Sequence, residues 1–183
     1  MFQCQIDQHI TLRLPVPEDA PKLFALITRS KDYLRPWLTW VEMTQNLKHS
    51  QSYIEYLRNQ FTAKRVCKVG IWYDDEMVGE VGFTFINGKD RSGSLTFWVA
   101  EEYLRRGIAS KSCRAMIHYG FEQLGLNRVE IAIAKDNKRA IALAKSLGFE
   151  KEGILREAEC RYEKYVDVIM FSMLADEWMN VKY

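Results

Sequence analysis

Two arginines, a glycine and a helix start carry the strongest chemical signal in this chain of 183 residues. The segment Leu104-Arg105-Arg106-Gly107-Ile108-Ala109-Ser110 follows a strand-like run in which Leu95, Phe97 and Val99 alternate with Thr96 and Trp98. A strand that turns through glycine into a helix makes an anion site. The first helical amides have no partner in the chain, and the helix dipole favours negative charge there. The two guanidinium groups add positive charge. The chemistry implied is the holding of a pyrophosphate.

Three nucleotide sites could do this. A kinase-type phosphate loop needs G-x-x-x-x-G-K-[ST], and that string is absent from the sequence. A dinucleotide fingerprint needs G-x-G-x-x-G near the start of a doubly wound sheet. Here a single glycine sits past the middle of the chain, after an antiparallel meander. The third site is one for coenzyme A, with the pyrophosphate on the turn and the pantetheine arm along a strand edge.

The elements that position this turn follow from patterning. Ile10 to Leu14 alternates as a first strand, ended by Pro15 and Pro17. Leu23, Phe24, Leu26 and Ile27 give a first helix its apolar face. The aromatic run from Tyr33 to Trp40 reads as a loop or a short irregular helix. Its tryptophans, Trp37 and Trp40, fit either a plug under the core or the wall of a pocket. Ser52 with Glu55 suggests the cap of a second helix. Cys67 to Tyr73 and Met77 to Ile86 form a hairpin that leads into the Leu95–Val99 strand. After Gly107, Ala109, Cys113, Met116, Ile117, Gly120 and Leu124 share one helix face. Arg128 to Ala134 is the next strand. A strand, a crossover helix and a strand predict parallel pairing. Asp136-Asn137 opens another helix, and Phe149 to Leu155 with Tyr165 to Leu174 form a last antiparallel pair. The expectation is a single α/β domain over 1–183: a mixed sheet of about seven strands flanked by helices.

Composition narrows the partners. The formal net charge is +2 with 27% charged residues, which makes no case for direct nucleic-acid binding. No apolar run approaches membrane-spanning length, and the first nine residues lack the apolar core of a signal peptide. A cytoplasmic location is expected. The four cysteines and three histidines are too scattered to suggest a metal site.

The loop around Arg105-Arg106-Gly107-Ile108-Ala109 resembles the acetyl-CoA loop of the GNAT N-acetyltransferase superfamily, [QR]-x-x-G-x-[GA]. The run from Asn137 through Ala140, Leu143 and Leu147-Gly148-Phe149 resembles its second motif, N-x-x-[SA]-x-x-[LV]-x-x-x-[LN]-G-F. The likeness spans nearly the whole chain and is nearest to the RimJ/RimL branch of ribosomal-protein N-terminal acetyltransferases.

That resemblance implies the GNAT acyl-CoA fold, acetyl-CoA as cosubstrate with no metal, and direct attack of an amine on the thioester. It implies that the Leu95–Val99 and Arg128–Ala134 strands splay apart around the pantetheine. Backbone near Trp98 and Val99 would hold the arm, with Asn137 hydrogen-bonded to it. The amides of Arg105, Arg106, Gly107, Ile108, Ala109 and Ser110 would take the pyrophosphate. Glu159 matches a tail glutamate of the branch and is the candidate base. Glu80, Trp37 and Trp40 are candidates for the acceptor side.

The chain departs from the pattern at four places. Leu104 replaces the usual Gln or Arg, and Ser94 replaces a Glu. Ala144 and Ala140 stand where the family places its Tyr or Ser proton donor. The acceptor expected is a primary amine, with a protein N-terminus favoured and a polyamine, an aminoglycoside or another small amine as the alternative. A CoA-binding module without catalysis is the second alternative, and a homodimer is a further candidate partner.

Overall fold

A computed structural model of the chain describes residues 2–180. Eight strands form one mixed sheet: β1 (Gln3–Gln5), β2 (Ile10–Arg13), β3 (Cys67–Tyr73), β4 (Glu76–Asn87), β5 (Ser92–Val99), β6 (Arg128–Ala134), β7 (Glu150–Arg161) and β8 (Lys164–Leu174). Their order is β1-β2-β3-β4-β5-β6-β8-β7. The strand beyond the expected seven is β1, Gln-Cys-Gln, three residues too short to show a period. Pairing with Thr11, Leu12 and Arg13 creates it.

Five helices flank the sheet: α1 (Ala20–Leu34), α2 (Leu47–Thr62), α3 (Ile108–Glu122), α4 (Lys138–Ser146) and α5 (Ala175–Asn180). The second helix starts five residues before the expected Ser52. Its cap is Asn46, whose side chain accepts from the His49 amide at 3.2 Å. Ser52 lies inside the helix. The aromatic run divides: Tyr33 and Leu34 end α1, and Trp40 lies in a 3₁₀ turn, Thr39–Met43.

Strand alternation separates two cores. Val69, Ile71, Val81, Phe83, Leu95 and Val99 face α3, where Ile108, Cys113, Met116 and Ile117 are buried against them. Trp72, Met77 and Trp98 face the other way, against Leu23, Leu26 and Ile27 of α1 and Ile54 of α2. The two layers fix what lies on either side of β5.

The decisive feature is where pairing stops. β5 and β6 are parallel, as the crossover predicts, but pair only at Ser92–Arg128, Gly93–Val129 and Ser94–Glu130. Both strands continue, and each stays paired on its other edge, β5 to β4 and β6 to β8. Past Ser94 and Glu130 they diverge as expected, leaving facing edges without a strand partner.

Candidate active site

The divergence opens a cavity of about 710 Å³. Leu95–Val99 form one wall and Ile131–Ala134 the other, with Ala109, Asn137, Ala140 and Leu143 from α3 and α4 between them. Alternate backbone N–H and C=O groups along both walls point into this space and lack ladder partners, so the cleft presents hydrogen-bonding groups along an apolar slot. A flexible chain of amides fits such a slot.

One end of the slot is the basic turn. Gly107 is the residue before α3 and has φ 73°, the left-handed conformation that a side chain disfavours. Arg105 shares that conformation with φ 61°. The first recorded amide bond of the helix runs from Lys111 N–H to Gly107 C=O at 3.0 Å. Among the described residues, the amides from Arg105 to Ser110 have no acceptor within the chain, as the first amides of a helix do. Arg106 stacks over the Tyr73 and Tyr103 rings at 5.8 and 5.2 Å and donates to Glu102 C=O. Asn137 caps α4 through its Oδ1, which accepts from the Ala140 amide at 3.2 Å, and it also borders the cavity.

The other end is closed by an arch. Arg161, near the tip of the β7-β8 hairpin, donates to Pro36 C=O at 3.0 Å and lies 5.8 Å from the Trp37 ring. Tyr162 Oη donates to Arg35 C=O at 3.0 Å. These bonds tie the hairpin to the loop after α1 and bring Arg161, Pro36 and Trp37 to the cavity rim. Glu159 holds Arg161 in place: both carboxylate oxygens accept from the guanidinium at 2.8 Å. Residues two apart on a strand share a face, which is the one sign of this pair in the sequence.

Glu80 sits behind the Trp98 wall. It is fully buried and stands opposite Trp98 in the β4-β5 register. Gly79 permits that close approach, since a Cβ there would lie 2.1 Å from the Trp98 carbonyl oxygen. Glu80 Oε2 accepts from Trp98 Nε1 at 2.9 Å, Tyr53 Oη at 3.3 Å and Lys68 Nζ at 3.4 Å. Oε1 is buried with no hydrogen-bond partner. Trp40 covers this cluster, with its ring 6.1 Å from Trp98 and 6.5 Å from Tyr53.

The cavity thus gathers Trp37, Trp98, Val99, Ala109 and Asn137 of the residues anticipated from sequence. Arg105, Arg106 and Gly107 lie in the turn beside it, and Ile108 and Ser110 in the first turn of α3. Trp40 and Glu80 lie behind Trp98, and Glu159 behind Arg161. Sequence reasoning missed Tyr33 and Thr96, hydroxyl-bearing wall residues, and the charged lining of Asp32, Asp136, Lys138, Arg139 and Arg161. Ala140 borders the cavity and Ala144 is buried, so neither place supplies a hydroxyl. Ser94 instead donates to Glu130 Oε1 at 2.8 Å. No group of three or more metal-ligating side chains assembles among the described residues.

The family model for the acetyltransferase (GNAT) domain matches residues 9–150. The Bacillus subtilis (strain 168) protein named "Putative ribosomal N-acetyltransferase YdaF" is 31% identical over 183 residues, 100% of both chains. A crystal structure of a probable acetyltransferase superposes with a TM-score of 0.92 at 31% identity, covering 97% of this chain and 99% of that one. RimL, the ribosomal L7/L12 alpha-N-protein acetyltransferase in complex with coenzyme A, shares the fold with a TM-score of 0.92 at 22% identity, covering 96% and 99%.

Proposed function

The chain belongs to the GNAT acetyltransferase family and is an acetyl-CoA-dependent N-acetyltransferase, and we propose that its acceptor is the α-amine of a protein N-terminus, a ribosomal protein in particular. The observation that carries the donor half is the partnerless edge of β5 and β6 leading to the cradle of free amides at Gly107. The amides from Arg105 to Ser110 receive the pyrophosphate. The strand edges and Asn137 receive the pantetheine amides. The thioester then lies along Leu95–Val99, near Trp98 and Val99, where a free backbone N–H stabilises the oxygen that becomes negative during attack.

The acceptor reaches the thioester from the rim bounded by Trp37 and Arg161, with Trp40 behind it. Its nitrogen lone pair forms the C–N bond, the C–S bond breaks, and the nitrogen gives up a proton. Holding both reactants in this slot supplies about 7–11 kcal/mol of the barrier where alignment is good. Two carboxylates are candidates for the proton. Glu159 has both oxygens engaged by Arg161, whereas Glu80 keeps Oε1 free. That difference favours Glu80 as the proton acceptor and gives Glu159 the role of fixing Arg161. The departing thiolate takes a proton from solvent or from the wall hydroxyls of Tyr33 or Thr96.

The N-terminal acceptor is supported by the name of the full-length relative YdaF and by the charge of the wall. Asp32, Glu101 and Asp136 are balanced by Lys138, Arg139 and Arg161, so the cavity lacks the acidic excess that a polyamine or an aminoglycoside would seek. The test is CoA release against three acceptors: peptides with a free N-terminal serine or alanine, spermidine, and an aminoglycoside. Release with the peptides alone is expected. Release with spermidine or the aminoglycoside alone assigns a small-amine substrate instead, and no release with any acceptor indicates a CoA-binding module.

A further inference from the structure

The vertex of the slot, where β5 and β6 part, carries a side-chain network that the reaction as described does not use. Ser94 and Glu130 form the last backbone pair of the two strands. Ser94 Oγ donates to Glu130 Oε1 at 2.8 Å, so the side chains repeat the pairing. Glu130 Oε2 accepts from Arg128 Nε and Nη2, both at 3.4 Å. Arg128 in turn donates from Nη1 and Nη2 to the two oxygens of Glu152 on β7, at 2.5 and 2.6 Å. Ser172 of β8 donates to Glu152 Oε1 at 2.8 Å. On the other side, Thr84 of β4 donates to the Ser94 carbonyl at 3.2 Å. Five strands, β4 to β8, are thus tied together at the vertex.

The far anchor of this network is built into the sheet. Glu152 stands where the register of β7 with β8 shifts, between Lys151 and Gly153, and the extra residue turns its carboxylate to Arg128 and Ser172. The Arg128 guanidinium, and then the Ser172 hydroxyl, hold the Glu152 carboxyl down at about 2, so Arg128 keeps its charged partner at neutral pH.

The cavity lining begins with the next residue on each strand, Leu95 and Ile131. Thr96 and Ala132 are the next residues on the face of Ser94 and Glu130, and alanine has no polar group to bond across the gap. The Ser94–Glu130 bond therefore marks the floor of the slot. Opening one more pair would lower that floor by one strand step, about 3.3 Å. That is close to the length that two further methylene groups add to an acyl chain.

We propose that Ser94 and Glu130 are specificity-determining residues for the donor: their bond fixes the depth of the slot and so limits the acyl group to a short chain. The proposal rests on the reading that the pantetheine occupies the slot with its thioester toward the vertex. Arg128 and Glu152 act through Glu130, as positioning residues. A network that only stabilised the sheet would not distinguish one acyl chain from another.

The test is calorimetric titration of acetyl-CoA and butyryl-CoA into wild type, Ser94→Ala and Ser94→Thr, read as the ratio of the two dissociation constants. Wild type should hold acetyl-CoA the more tightly. Ser94→Ala should shift the ratio toward butyryl-CoA by about tenfold, the scale of burying two methylene groups. Ser94→Thr, which keeps the hydroxyl, should keep the wild-type ratio. Glu130→Ala removes the acceptor of the bond instead of its donor and should repeat the Ser94→Ala shift. Wild type that holds butyryl-CoA as tightly as acetyl-CoA, a wild-type ratio in Ser94→Ala or Glu130→Ala, or an equal shift in Ser94→Thr would each overturn the proposal. Wild type that binds neither thioester sinks the reading of the slot as the donor site, and the proposal with it. Tight acetyl-CoA binding with no change of ratio in the variants sinks the proposal alone.

Discussion

Trp98 donates its indole N–H to Glu80 Oε2 at 2.9 Å from the facing position on the adjacent strand. One partner lines the cleft and the other is wholly buried behind it. This bond joins the cavity wall to the buried cluster behind it. It also means that a change at either residue reaches the other.

Glu80→Gln is expected to lower kcat by about a hundredfold or more, the usual scale for a lost general base. Glu159→Gln should instead raise the acceptor KM, within about tenfold, by loosening Arg161 and the arch over the cavity. Steady-state kinetics on the two variants, with the acetyl-CoA melt shift as a control for binding, checks the difference. The reverse pattern would return the base to Glu159.

Gly79→Ala places a Cβ 2.1 Å from the Trp98 carbonyl oxygen, so β4 and β5 must part. Overpacking against backbone costs about 1–3 kcal/mol or more. Denaturant unfolding should show that loss, and turnover should fall with it because Glu80 and Trp98 move apart. Wild-type stability would show that the strands give way easily.

Gly107→Ala meets no atom within 4 Å, so its effect is conformational alone. Forcing alanine to the φ of 73° costs about 1–2 kcal/mol. A lower melting temperature without ligand and a weaker acetyl-CoA response are expected, because the amides of the turn are no longer held in place. A variant with unchanged CoA affinity would remove the turn from the binding site.

Much of this was legible from local pattern. The α3 and α4 stripes, the glycine before α3 and the crossover to β6 all follow from residues close in sequence. The splay is different, because whether two strands separate depends on what packs between them, and the family resemblance supplied it. The Tyr53, Lys68, Glu80 and Trp98 cluster was hidden for another reason. Its members lie on α2, β3, β4 and β5, and sheet register brings them onto one face. β1 was invisible because three residues are too few to carry a period of their own. Glu159 drew its candidacy as base from the family resemblance alone, and the local sequence did not show that Arg161 occupies both of its oxygens.

Asp19 gives a prediction about pH. Burial alone would raise its carboxyl, but two hydrogen bonds from Arg13, at 2.7 and 2.9 Å, and one from the Val16 amide outweigh burial and lower it. A carboxylate lowered in the folded state stabilises the fold above its unfolded value, about 3.9. That stability is lost as pH falls through the lower folded value. Asp19→Asn should therefore cost about 1–3 kcal/mol at pH 7, and the wild type and the variant should converge below about pH 4. A gap that persists into stronger acid would mean that shape, not charge, sets the effect.

On the proposed reading, the gap between β5 and β6 and the turn at Gly107 bind acetyl-CoA. A thermal melt with and without acetyl-CoA tests it most directly. At a hundred times the dissociation constant, bound ligand adds about 2.7 kcal/mol, which for a domain of this size raises the melting temperature by roughly 5–10 °C. A melt unmoved by saturating acetyl-CoA would mean that neither the gap nor the turn holds it.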